Sequence, residues 1–563
     1  MEHGRPLRTV LVNPRYDAVP AERYAATENL GLGYLAAVLR HHGDKVRIID
    51  GDASGLTREG IVDALVAEKP DFVGLTSLSH TIGDALHIGR TASARLPGTF
   101  FCLGGQHATY AAEELLRSEP FIGCVVRGEG ELTLLELVER LRAGGSLRGL
   151  PGAYCRDQGE VILNPDRPPI ADLDSLPWPA RDCLDELLAQ GARPTVLALL
   201  SSRGCHGRCA FCNSSTFFRL GGRGPAWRGR SAHDVVDELE ALVTAHGDKL
   251  YGAVHFFDDN FVGPGVAGRE HARAIAREMI ARGLEVPFYI FCRVDSFDGD
   301  EELLALLRRA GLRSAFIGLE SGEPATLKLF RKGTTREQNA NAMRLMAKYG
   351  VATPATGFIM FHPYATFDEL RRNAVFLLSL SQASFWNLSV TLTLFRGTKL
   401  VETVRRDGLL GEPRLHWGAY CYRFADPRVG RLAEAMSFAH HELMVRLDAE
   451  VRFVEETVMR LEAGLGQLKA VLAPQAIDAA RATIAAVKER LLQMQRSSCD
   501  FFLDAVGLAE SDRLADAFPA RREAFLGRTE LELDGLKSEF LRALAVLDGV
   551  AATLGPSGRG DKK

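Results

Sequence analysis

The stretch Ser202-Arg-Gly-Cys205-His-Gly-Arg-Cys209-Ala-Phe-Cys212-Asn213 decides how the rest of the chain is read. Its three thiols are separated by three and then two residues, so one tight loop can turn all of them toward a single soft-metal centre. A four-iron, four-sulfur (4Fe-4S) cluster is closed by four thiolates, and three leave one iron open. Two glycines and an arginine flank Cys205, so backbone can wrap closely around sulfide while positive charge offsets an anionic cluster. The alternatives are a zinc loop or three ordinary core cysteines. A zinc site normally closes with a fourth Cys or His, and His206, adjacent to a ligating Cys, would have to turn back to serve.

Working outward, the 563 residues suffice for three or four domains, and 46% hydrophobic with 25% charged residues is the balance of a soluble globular protein. A net charge of -4 gives no reason to expect a nucleic-acid or anionic-membrane partner. The opening MEHGRPLRTVLVNP runs into a strand pattern without the apolar core of a signal peptide, and a cytoplasmic protein is expected. Of ten cysteines only the 205 to 212 set is clustered, which implies a reducing compartment rather than a disulfide framework.

Residues 1–145 alternate short apolar runs with helical stretches. Runs ending at Asn13, Asp50, Thr76, Gly104 and Val126 predict a parallel, doubly wound, Rossmann-like sheet. Ligands on such sheets bind beyond the carboxyl ends of the strands. The residues there are Asn13, Thr76-Ser77, Gly104-Gly105-Gln106-His107 and Arg127-Gly-Glu129-Gly-Glu131, small or polar as a face admitting a bulky ligand requires. Seven prolines between 146 and 194 predict an extended connector over a domain junction.

Six further strand-like runs follow between 195 and 400: Val196 to Leu200, Ala253 to Phe257, Pro287 to Cys292, Ser314 to Gly318, Ala355 to Met360 and Asn387 to Leu394. With helices between them they predict a partial (β/α)6 barrel, which places chemistry at its strand ends. Those ends carry the cysteine loop, Asp258-Asp259-Asn260-Phe261, Arg293-Val-Asp295 and Glu320-Ser321-Gly322. Such groups suit a zwitterionic, ribose-bearing ligand, since carboxylates accept from ribose hydroxyls or an ammonium and Arg holds a carboxylate. From 401 to 555 the Ala, Leu, Glu and Arg content at helical spacing predicts an α-helical domain without a chemical motif, and 556–563 a disordered tail.

The Cys spacing, with Phe211 before the last thiol, resembles the radical S-adenosylmethionine (SAM) superfamily. So does the order of Asp-Asp-Asn-Phe, Arg-Val-Asp, Gly-Leu-Glu-Ser-Gly and Arg331-Lys-Gly-Thr-Thr335. The resemblance implies that Cys205, Cys209 and Cys212 hold a 4Fe-4S cluster whose open iron is chelated by SAM, and that reduction yields a 5'-deoxyadenosyl radical. It places Arg293, Glu320, Ser321, Asp259 and Asn260 against SAM, with the Phe211 backbone near adenine. The run Thr76-Ser-Leu-Ser-His, then Gly104 to Thr109, then Arg127 to Glu131, resembles the cobalamin-binding domain that precedes one class of these enzymes. That implies Thr76 and Ser77 along the nucleotide-tail slot, Gly104, Gly105, Gln106 and His107 beneath the corrin, and Glu129 nearby. The Asp-x-His-x-x-Gly motif that supplies a cobalt ligand in the methionine-synthase type is missing, so no protein imidazole is expected below cobalt, and His80 and His107 are read as hydrogen-bonding or packing residues rather than cobalt ligands. A Rossmann-like domain for another nucleotide stays open, although no Gly-x-Gly-x-x-Gly follows the first strand.

Together these features imply a cobalamin-dependent radical SAM methyltransferase acting on an unactivated carbon of a small-molecule or peptide substrate, with flavodoxin or ferredoxin as electron donor. Radical rearrangement, cyclisation or oxidation without methyl transfer, polar methylation through cobalamin, and a non-enzymatic sensor are the alternatives. The sequence names no catalytic side chain and no substrate.

Overall fold

A computed structural model describes residues 5–15, 28–189, 196–222, 224–247, 253–413, 418–443, 450, 451, 454, 457, 458, 461 and 474–553. The chain forms two compact units. The first comprises Met1–Phe291, Arg309–Gly311 and Thr393–Tyr422, and the second Cys292–Arg308, Leu312–Leu392 and Arg423–Lys563.

The first unit is built on a seven-stranded sheet of β1 (Arg8–Asn13), β2 (Lys45–Asp50), β3 (Phe72–Thr76), β4 (Phe100–Gly104), β5 (Ile122–Val126), β6 (Ala153–Asp157) and β7 (Glu160–Leu163), in the order β2-β1-β3-β4-β5-β6-β7. The first five strands are parallel. Alternation along β1 divides the core: Val10 and Val12 pack with the helices Arg58–Glu68, Ile82–Arg95 and Gly105–Ser118, while Leu11 packs with Leu30–His41 and Glu131–Arg142. This is the doubly wound arrangement expected, and it gathers the carboxyl ends of β1, β3, β4 and β5 at one edge.

Segment 146–194 departs from the predicted extended connector. It holds β6 and β7, which continue the sheet antiparallel, and the helix Asp182–Ala189, while residues 190–194 lie outside those described. The prolines fall outside both strands, so every N–H needed for the ladder is present. The two-residue turn Gln158-Gly159 has φ of 49° and 85°, the left-handed pair that matches hairpin twist.

Next come β8 (Val196–Leu199), the hairpin strands β9 (Ser202–Gly204) and β10 (Trp227–Gly229), β11 (Ala253–Phe256) and β12 (Phe288–Arg293), whose last two residues belong to the second unit. β8, β11 and β12 are parallel neighbours, and β9 pairs antiparallel with β10 around the cysteine loop.

In the second unit β13 (Leu312–Glu320) pairs parallel with β14 (Thr356–Phe358) through the helix Arg336–Tyr349, which starts in a Thr335/Gln338 capping box and stops at left-handed Gly350. The sixth strand predicted at Asn387 to Leu394 does not form. Ser384 caps a helix, Phe385–Ser389, instead, and one isolated bridge, Phe361 to Thr391, is what remains of the pairing. Residues 393–422 return to the first unit, where β15 (Leu394–Phe395), β16 (Leu410–Pro413) and β17 (Ala419–Tyr422) form a small antiparallel sheet in the order β15-β17-β16. The helical region expected over 401–555 is present from Pro427 onward as Pro427–Leu443, Pro474–Glu510 and Leu514–Thr553, whereas β16 and β17 occupy part of the stretch before it instead of helix. Phe385, Phe501, Phe518 and Phe525 stack among them, with Phe501 and Phe525 centroids 4.3 Å apart. The predicted tail, 556–563, lies outside the described residues.

Candidate active site

The cysteine loop leaves β9 at Gly204, whose φ of +86° and closeness to Ala226 O, 2.1 Å from where a Cβ would stand, admit only glycine. Two acids at the end of β11 hold its entrance. Asp258, fully buried, accepts from Ser201 N and Oγ at 2.9 Å each, from Ser202 Oγ at 3.0 Å and from Ser202 N. Asp259 accepts from Gly204 N at 3.2 Å and from Ser214 Oγ, tying the start of the loop to its end. Asn260 is also buried; its amide donates to Val262 O and lies 3.4 Å from His206 Nδ1, so it orients the loop from below.

From behind, Arg219 donates to the carbonyls of Cys205, His206 and Gly207 at 3.3, 3.2 and 3.1 Å, and to Ser215 O. Ser215 Oγ donates to Cys212 O at 2.6 Å and Cys209 O at 3.0 Å. These bonds engage the loop's carbonyls with donors of the protein itself, and a guanidinium charge stands behind the loop. Phe211 is half-buried, and Leu400 N fixes its neighbour Ala210 through a 2.8 Å bond to the carbonyl. Cys209 is buried and Cys205 and Cys212 partly so. Burial first, then the charges of Cys209 and Asp259, push the Cys212 thiol up to about 11, so thiolate forms readily only when a cation replaces its proton. Among the described residues no three His, Cys, Asp or Glu side chains converge closely enough to share one ion.

A cavity of about 330 Å³ opens at the strand ends of the same unit. Thr76, Gly104, Gly105 and Glu129 line it on the sheet side, and Ser202, Arg203, Phe217, Phe218, Phe257 and Asp259 on the side of the cysteine loop. Gly105 has φ +94°, and a Cβ there would meet Ser77 O at 2.5 Å and Thr76 Oγ1 at 2.9 Å. Gly105 thus lets the β4 end pack directly on the backbone of the β3 end, and any side chain there would push the two strand ends beside the cavity apart. A space this size takes the slender tail of a large cofactor rather than all of it.

Ser77, Gln106 and His107 stand outside the lining. Ser77 is buried and donates from N and Oγ to Gly104 O at 2.9 Å each, locking β3 to β4. Gln106 sits half-buried on the first helical turn. His107 is buried beneath Gly418, whose missing Cβ would lie 2.3 Å from the ring, with Nδ1 3.5 Å from Ser79 Oγ. Its ring is packed into the fold at this edge.

Ion pairs that the sequence reading did not anticipate join the sheet to the loop hairpin. Arg228 of β10 forms two 2.8 to 2.9 Å bonds to Glu129, and Arg203 of β9 binds Glu131 at 2.7 Å and lies over the Tyr34 ring. Glu129 also accepts from Ile170 N at 2.6 Å. Its carboxylate therefore lines the cavity already engaged, and its partners hold it below the usual carboxylate range despite burial. Only the joint spacing of Arg203 and Arg228 on paired strands, with Glu129 and Glu131 two apart, signals this link in sequence.

The second unit carries the remaining expected SAM residues. Arg293 is bidentate to Asp295, at 2.8 and 3.0 Å, and donates to Lys332 O at 2.9 Å. Glu320 ends β13 with φ +66°, beside a register shift from Gly318, and accepts from Lys332 Nζ at 2.9 Å. Ser321, fully buried, accepts from Glu323 N at 3.1 Å and lies within reach of Asn373, whose Oδ1 also receives Gly322 N at 2.9 Å. Asn339 braces the same turn through Leu319 O and Ser321 O. A non-glycine residue held left-handed at a strand end by this many partners is the kind of strain found at ligand-binding positions. Phe211, Asp259 and Asn260 are thus in one unit and Arg293, Glu320 and Ser321 in the other. No described helix is long and apolar enough to cross a membrane.

Comparison with known proteins agrees with this construction. The B12 binding domain family matches residues 16–138, and the radical SAM superfamily matches 199–377. The chain is 33% identical over 395 residues to the uncharacterized methyltransferase PH0819 of Pyrococcus horikoshii, covering 69% of this chain and 81% of that protein. It is 30% identical over 358 residues to the anaerobic magnesium-protoporphyrin IX monomethyl ester cyclase of Rubrivivax gelatinosus, covering 62% of each. Among solved structures, the cobalamin-dependent SAM radical enzyme OxsB with aqua-cobalamin and SAM bound aligns at a TM-score of 0.68 and 22% identity, over 99% of this chain and 82% of that one. A third of positions identical across four-fifths of a relative, with both domains in the same order, make this chain a member of the radical SAM enzymes that carry a B12-binding domain ahead of the radical SAM domain.

Proposed function

We propose that the protein is a cobalamin-dependent radical SAM methyltransferase that methylates an unactivated carbon of a small-molecule or peptide substrate. The observation that carries this reading is the double role of Asp259. It anchors Gly204 and Ser214 at the two ends of the cysteine loop and also lines the cavity walled by Gly104 and Gly105. The thiol loop and a cavity able to take the tail of a large cofactor therefore share a wall, as transfer between two cofactors requires. Cys205, Cys209 and Cys212 would hold a 4Fe-4S cluster, Arg293, Glu320 and Ser321 the polar groups of SAM, and Thr76, Gly104 and Gly105 the edge of cobalamin. Bound there, these groups supply reductive SAM cleavage and a transferable methyl group. A carbon that is not acidic cannot be activated by a protein base, so the chain's own part is position and the exclusion of water and oxygen. Arg219 and Ser215 engage the loop's carbonyls, and Phe217, Phe218 and Phe257 give the cavity an apolar side. A flavodoxin- or ferredoxin-type protein would deliver the electron.

The test is anaerobic reconstitution with iron, sulfide and cobalamin, followed by SAM, reductant and candidate substrates. Both 5'-deoxyadenosine and S-adenosylhomocysteine are expected to accumulate. S-adenosylhomocysteine alone would replace radical with polar methylation. The relative that is a cyclase favours one second reading, a radical reaction without methyl transfer, for which 5'-deoxyadenosine alone would be the result.

A further inference from the structure

Behind Cys212 three segments far apart in sequence meet on two hydroxyl groups. Tyr110 lies on the helix Gly105–Ser118, five residues after the glycine that walls the cavity. Its hydroxyl is 2.6 Å from Thr216 Oγ1 and donates within 3.2 Å of Asn213 O, the residue that follows Cys212. Thr216 Oγ1 in turn reaches Asn213 O at 3.0 Å and Gly397 O at 3.2 Å. Gly397 has φ +77°, and a Cβ there would fall 2.1 Å from the Tyr110 ring, so its backbone lies flat on the phenol. The two hydroxyl protons thus serve two carbonyls besides each other: Asn213 O on the exit of the cysteine loop and Gly397 O on the segment packed against the phenol. Ser215, which holds the Cys212 carbonyl, is the neighbour of Thr216.

On the family reading above, we propose that Tyr110 is a positioning residue for the cluster: its hydroxyl, paired with Thr216, fixes the loop exit that carries Cys212 and so sets how firmly the iron on that side is held. The cavity-side helix thereby acts on the iron site without touching it. Tyr110 and Thr216 form a pair, so removing either should do what removing both does.

The experiment uses the anaerobically reconstituted full chain and follows iron release to a ferrous-iron chelator, together with the electron paramagnetic resonance spectrum of the reduced cluster. Tyr110→Phe keeps the ring against Gly397 and should load the same iron per chain. It should release iron about three to ten times faster, the range set by loss of one net hydrogen bond, and show an altered spectrum. Thr216→Val should match it, and the double variant should be no faster than either. The spectrum of the reduced cluster, which a general loss of stability would not alter, separates positioning from general stability. Wild-type release rates in Tyr110→Phe, or a double variant equal to the product of the singles, would overturn the proposal. Should Tyr110→Phe fail to fold, Thr216→Val alone decides. A wild-type chain that takes up no iron removes the proposed cluster, and this proposal with it. An iron-replete wild type beside an unaltered Tyr110→Phe removes this proposal only.

Discussion

His107 offers a measurement of how tightly the cavity edge is packed. It is 5% exposed, and its pKa is pushed down from 6.5 to about 4, first by burial and then by the Arg396 charge, with Glu114 opposing. Between those two values the unfolded chain binds a proton that the folded chain refuses. Stability contributed by the neutral ring is therefore complete above pH 6.5 and is lost as pH falls toward 4. With 1.36 kcal/mol per pKa unit the total is about 3 kcal/mol, of which about 2 kcal/mol is lost between pH 7.5 and pH 5. Replacement by Gln removes the titration while keeping a polar side chain of similar reach. Urea unfolding of apo wild type and His107→Gln at pH 7.5 and pH 5 should show the wild type losing about 2 kcal/mol more than the variant, since other titrating groups cancel in the difference. Equal losses would show that the ring already has access to water or to an acidic partner, and that the packing under Gly418 is not as described.

Two further outcomes test the loop and the cavity. Arg219→Met removes the fork that holds four carbonyls and should lower iron retained after desalting roughly tenfold, taking about 1 to 1.5 kcal/mol as the net loss for a half-exposed donor set. Arg219→Lys, with charge but no fork, should fall between. Gly105→Ala places a methyl group 2.5 Å from Ser77 O at a left-handed position, so cobalamin absorbance should no longer co-elute with the protein on gel filtration while iron content is unchanged.

The parts of the molecule that local sequence determines were legible. Continuously apolar strands such as β1 carry their two-sided burial in their own residues, and the thiols of the cysteine loop lie within eight residues of one another. Where the outcome rests on a single turn or cap, the local pattern misled. Gln158 in a left-handed turn is not a strong hairpin signal, so β6 and β7 were hidden by the surrounding prolines. Ser384, capping Asn387 N, converted an apolar run into a helix. The supports of the site were hidden for a different reason. Asp258 reaches back 57 residues to Ser201, and Tyr110 reaches forward 106 to Thr216. No window along the chain contains both members of such a pair, and each alone looks like an ordinary strand-end acid or surface aromatic.

Glu320 brings these strands of reasoning together. Its left-handed backbone costs on the order of 1 kcal/mol relative to glycine at the same φ. Its carboxylate and the Lys332 ammonium are both nearly inaccessible and paired at 2.9 Å, and burying such a pair contributes little net stability. A residue kept for the fold would not be chosen this way. Glu320→Gly alone would strand the buried Lys332 charge and obscure the result, so the informative variant is Glu320→Gly with Lys332→Met, which relieves the strain and removes both charges. That double variant should unfold at higher urea than the wild type, by about 1 kcal/mol or more, and should lose SAM binding in equilibrium dialysis of the reconstituted protein. A less stable double variant would mean that the pair is structural. One that binds SAM as the wild type does would remove Glu320 from the site, however strained its backbone.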